Sequence, residues 1–113
     1  AQAEPVDLAA DTSGIYWVNR GDGKVRRVAV DGSALTTLQT LKRPTAIALD
    51  SASYYVTDSI LGRVIAYAKA TNTGVARSYA DGIPSRIVPT ASNLFWVNEG
   101  VKEYVGEINV IGK

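Results

Sequence analysis

The chain has 113 residues, enough for one domain, and its 12 basic and 11 acidic side chains leave a net charge of +1 that offers no basic field to nucleic acid. It contains no Cys and no His, which excludes a disulfide framework, thiolate zinc sites, Ser-His-Asp relays and imidazole acid/base chemistry. No apolar run approaches the roughly 18 to 20 residues of a membrane-crossing helix, so membrane insertion is not expected.

Ala1-Gln2-Ala3-Glu4 lacks an initiator Met and suits either the product of a signal peptidase, which would make the protein secreted or periplasmic, or the remnant of an expression tag. The first strand is expected at Pro5–Asp11, and the same pattern returns at Pro44–Asp50 and Pro84–Thr90. Pro is tolerated at the first position of a strand, and Asp or Thr then opens a turn.

Second strands are expected at Ile15–Asn19, Ser53–Thr57 and Leu94–Asn98, where adjacent aromatic and β-branched residues favour a pleated surface covered on both faces. Trp17 and Trp96 therefore read as core between layers rather than as a ligand-stacking platform. Third strands follow a Gly, at Gly23–Val30, Gly62–Ala68 and Gly106–Ile111. Asp31-Gly32 and the Asn72-Thr73-Gly74 stretch supply tight turns to fourth strands at Ala34–Thr40 and Val75–Tyr79.

Pro5, Pro44 and Pro84 are 39 and 40 residues apart, and aromatic pair and Gly recur with them. Four-stranded antiparallel sheets repeating at about 40 to 45 residues are the mark of β-propeller blades. An all-β fold of blades is expected: a complete blade at about 5–43, a second at about 44–83 and a three-stranded third at 84–113. A β-sandwich would give no reason for three features to share one period.

IYWVN, GKVRRVAVDGS and PTAIALD resemble the YWTD-type propeller repeats of the low-density-lipoprotein receptor class, and more loosely the NHL and gluconolactonase-like propellers. The resemblance covers almost the whole chain as repeats. It implies a structural tether where the motif carries Asp, a position aligned here with Asn19, Thr57 and Asn98.

Fewer than three full blades leave two sheet faces bare, and a second copy of the chain would complete a six-bladed ring, half from each protomer. The seam is expected to join Leu8, Trp17 and Val28 of one copy to Ile87, Trp96 and Ile108 of the other. In a propeller the loops between second and third strands and between fourth and first share the channel mouth. They bring Arg20, Asp22, Asp58, Glu99, Lys102 and Tyr104 there as candidate ligand-binding residues.

Arg20-Gly21-Asp22 reads as a connecting turn rather than an adhesion motif. The gluconolactonase resemblance implies that Asn19, Asp58, Asn98 and Glu99 supply oxygen ligands to calcium, but their alignment is imperfect and no resident cofactor is expected. The expected function is a non-enzymatic binding or scaffold module for a protein, glycan or small molecule. The alternative is a calcium-assisted, lactonase-like hydrolase.

Overall fold

The computed structural model describes residues 4–60, 62–79, 83–99 and 107–112. Among these the chain forms eleven strands in three antiparallel sheets, each meandering in sequence order. The first holds β1 (Pro5–Asp11), β2 (Gly14–Asn19), β3 (Lys24–Val28) and β4 (Thr36–Thr40). The second holds β5 (Pro44–Leu49), β6 (Ser53–Asp58), β7 (Arg63–Ala68) and β8 (Gly74–Tyr79). β9 (Ile83–Pro89), β10 (Asn93–Glu99) and β11 (Glu107–Gly112) make the third. The expected order of four, four and three strands is the observed one. β4 starts two residues later than expected because Ala34 takes a left-handed conformation, φ 58°, inside the turn that leads into it.

Each first strand opens with the same irregularity. Pro5 pairs with Asn19 and Asp7 with Val18, while Pro44 pairs with Asp58 and Ala46 with Thr57, so one residue bulges out after the proline. In β9, Pro84 pairs with Asn98 and Arg86 with Val97. This register corrects the alignment read from the sequence. Asp58, not Thr57, is the counterpart of Asn19 and Asn98, so the second repeat carries an Asp at this position.

Alternation along the strands sends successive side chains to opposite faces, so each sheet presents one face to its predecessor and one to its successor. Tyr16, Val18 and Val25 from the first sheet pack with Ile47, Tyr54, Val56, Ile65 and Tyr67 from the second. The opposite face of the second sheet, carrying Ala46, Ala48, Tyr55 and Val64, packs on Ile87 and Leu94 of the third. In the first seam the Tyr54 ring lies 4.9 Å from Tyr67, nearly parallel, and 5.6 Å from Tyr16. Each fully buried side chain of this size stabilises the stack by about 1.5 to 3 kcal/mol.

Polar contacts fix the same seam at both edges. Near the first strands, the Asp7 carboxylate accepts the Ile47 backbone N–H at 3.0 Å. At the outer strands, Asn72 adopts a left-handed turn conformation, φ 58°, and its Nδ2 donates to the Leu38 carbonyl at 2.9 Å. Gln39 Nε2 donates to the Asn72 carbonyl at 3.0 Å.

Candidate functional site

The loops β2–β3 and β4–β5 lie at one edge of the first sheet, and β6–β7 joins them from the second. Their geometry comes from backbone chemistry. Gly23 sits at φ 74° and its carbonyl accepts the Leu41 N–H at 2.7 Å, which clamps the β2–β3 turn against the segment leading to β5. Only Gly fits, since a Cβ there would lie 2.1 Å from the Leu41 carbonyl oxygen.

Arg20 is exposed and pairs with Glu4 at 3.1 Å. Asp22 is half-buried and accepts the Lys24 backbone N–H at 3.0 Å, the side-chain-to-backbone bond that short acidic residues make in turns. Arg20-Gly21-Asp22 is thus built into the strand connection. Glu99 ends β10 and its side chain lies outside the described residues, as do Lys102 and Tyr104. The structure therefore brings Arg20, Asp22 and the Asp58 backbone to one edge and leaves the other three unplaced.

Asp58 requires a correction. Expected as an exposed ligand group, it is fully buried. Oδ2 accepts the backbone N–H groups of Lys42 at 2.9 Å and Arg43 at 3.2 Å, and Oδ1 accepts that of Ile60 at 2.9 Å. A carboxylate with three backbone donors is spent on the connection between the first and second sheets. Asn19, its counterpart, is also buried, and its Oδ1 has no hydrogen-bond partner among the described residues. Among the described residues no three acidic side chains converge as a metal centre would need.

The faces expected to be bare divide differently from the expectation. On the first sheet Leu8 is 62% exposed and Val6 39%, and with Trp17 they line an open cleft of about 480 Å³. Trp17 is half-buried at this outer face rather than enclosed between layers. On the third sheet Ile87 is buried against the second, and Val88 is 53% exposed. The outward face of the third sheet is therefore that of Val88, with Arg86 beside it, and the expected Ile87 is displaced by one residue, which in a strand means the other face. The side chains of Trp96 and Ile108 lie outside the described residues.

No family model and no curated protein matches the sequence. Solved structures do match. A chain from a nidogen/laminin complex is similar with a TM-score of 0.82 at 22% identity, over 97% of this chain and 45% of that one. The hydrazine synthase of Kuenenia stuttgartiensis is similar with a TM-score of 0.83 at 19% identity, over 98% of this chain and 33% of the other. These neighbours are β-propellers.

The chain is a partial β-propeller.

Virginiamycin B lyase from Staphylococcus aureus is a further propeller match, with a TM-score of 0.71 at 11% identity, over 94% of this chain and 41% of that one. At such identities the likeness carries the fold alone. The arc spans less than half the length of each of these three chains.

Proposed function

We propose that the arc is a non-enzymatic binding and assembly module, and that a second copy of the chain meets its open faces to close a six-bladed ring. One observation carries this reading. Leu8 and Trp17 occupy the positions of Ile47 and Val56, which in the second sheet are 5% and 0% exposed at a seam. The first sheet thus presents a seam surface on which none of the described residues packs. At the other end Val88 stands where Ala48 stands in the second sheet, and Ala48 is buried against the third. The two end surfaces are the two halves of a seam that the arc already makes twice. A head-to-tail contact used twice about a two-fold axis closes a ring.

The mouth loops are the place for a ligand, with Arg20 the exposed cation among the described candidates and Glu99, Lys102 and Tyr104 supplying the rest. Among its propeller neighbours is a chain whose structure is a complex between two proteins, nidogen and laminin, a setting consistent with recognition. Light scattering of the full chain at micromolar concentration tests the assembly. A species near twice 12.0 kDa, with melting that rises with concentration, is expected. A folded monomer at all concentrations overturns it.

A further inference from the structure

The opposite edge of the first seam, where the β1–β2 and β7–β8 turns meet, holds a cavity of about 520 Å³. Its walls are apolar where Leu38, Tyr16 and Tyr54 line it, and two cations, Arg27 and Lys69, line it from different blades. Lys69 Nζ lies 2.6 Å from Asp11 Oδ2, with 14% of its side chain exposed. Arg27 Nη2 donates to the Ser13 carbonyl. The Arg27 guanidinium carbon and Lys69 Nζ each lie 5.8 Å from the Tyr16 ring centroid, within reach of its negative face.

The Tyr54 hydroxyl donates to Asn72 Oδ1 and accepts from Gln39 Nε2, and Asn72 Nδ2 is held by the Leu38 carbonyl. Asp11 Oδ1 accepts both the Ser13 N–H and its hydroxyl. Among the described residues each cation makes one hydrogen bond, whereas a guanidinium carries five N–H donors and an ammonium three. Two positive charges face one carboxylate, so the cavity carries an excess of one positive charge beside aromatic and aliphatic walls.

We propose that this seam cavity is a binding site for a small organic anion, its carboxylate or phosphate group set between Arg27 and Lys69 and its apolar body against Leu38 and the tyrosines. A planar guanidinium fork matches either headgroup with paired hydrogen bonds, and partial burial strengthens the attraction. The site lies between two blades of one chain and does not depend on ring closure.

Titration of the full chain with benzoate, inorganic phosphate and benzyl alcohol, followed by backbone amide NMR, tests this. Benzoate is expected to give saturable shifts at Ser13, Lys69 and Asn72, and phosphate to do so if the site accepts free phosphate. Benzyl alcohol should give none. Arg27→Gln should weaken benzoate roughly tenfold, the loss of one well-made charged bond, and Arg27→Lys should restore part of it. Shifts linear in benzoate, or equal shifts with benzyl alcohol, overturn the proposal in the unaltered chain and need no variant. Unchanged benzoate affinity in a folded Arg27→Gln chain overturns it as well.

Discussion

Asp58 and Asn19 hold the same place in successive sheets, opposite Pro44 and Pro5, yet the Asp58 carboxylate is met by three backbone donors while the Asn19 amide oxygen is buried with none among the described residues. Asp58→Ala would strand the Lys42, Arg43 and Ile60 N–H groups in the seam and should cost about 3 kcal/mol or more. Asp58→Asn keeps one carbonyl oxygen, in a shape the fold already accepts at position 19, and should cost about 1 to 2 kcal/mol. Urea unfolding of both variants measures the difference. Equal costs would show that charge, not acceptor count, is what the tether needs.

Gly23→Ala should be more damaging than its one methyl group suggests. The left-handed backbone and the 2.1 Å approach to the Leu41 carbonyl oxygen leave no place for a Cβ, so a loss above about 2 kcal/mol is expected. Gly32→Ala is the control, since Gly32 is also left-handed, φ 88°, but has nothing within 4 Å of its Cβ direction. Thermal unfolding should rank Gly23→Ala well below Gly32→Ala.

Burial pushes the Tyr54 hydroxyl up to about 12 against an ordinary 10.0, with the hydrogen bond from Gln39 opposing and Tyr67 and Tyr16 adding to the rise. Tyr67 is raised too, by burial first and then by the Asp58 charge. The sign follows from the proton count. Between pH 10 and 12 the unfolded chain releases protons that the folded chain keeps, so the stabilisation present below pH 10 is lost as pH rises through that window. Tyr54→Phe should flatten the alkaline decline in stability, and the part of the 295 nm absorbance change that Tyr54→Phe removes should titrate above pH 10.

Asp11 behaves in the opposite sense. Burial works to raise its carboxyl, but hydrogen bonds from Lys69 and Ser13 together outweigh it and hold the group below its ordinary 3.8. Its contribution is therefore present above about pH 4 and lost as pH falls below that. Solvent screening at this partly open pair limits the effect to about 1 kcal/mol. Lys69→Met should reduce the loss of stability between pH 5 and 2, and an unchanged acid slope would remove the pair from the account of this seam.

Leu8→Asp should leave the isolated arc folded, because Leu8 is 62% exposed, and should abolish self-association. Trp17→Ala should cost the single chain well under the roughly 3 to 5 kcal/mol of an enclosed tryptophan, because only part of its surface is covered. Sedimentation of Leu8→Asp and chemical unfolding of Trp17→Ala check the two halves of this argument.

The repeat of proline, aromatic pair and glycine was enough to place eleven strands, because strand period and turn chemistry are local properties of the chain. Matching the aromatic strand strings set Thr57 against Asn19, whereas 14 positions separate Pro5 from Asn19, Pro44 from Asp58 and Pro84 from Asn98, and the strand pairing follows the proline count. One-residue parity along the strand decided that Val88 and not Ile87 faces outward. Asp58 reads from the sequence as a charged loop residue and in the fold is a buried acceptor, because the pairing of β5 with β6 sets Pro44 opposite it and so brings the Lys42 and Arg43 N–H groups to its carboxylate, with Ile60 two positions on as the third donor. Arg27 and Lys69 are 42 positions apart on different blades, with nothing in either local pattern to join them. Alternation and turns specified the strands; burial, and the meeting of distant charges, arose only when the sheets stacked and removed particular faces from water.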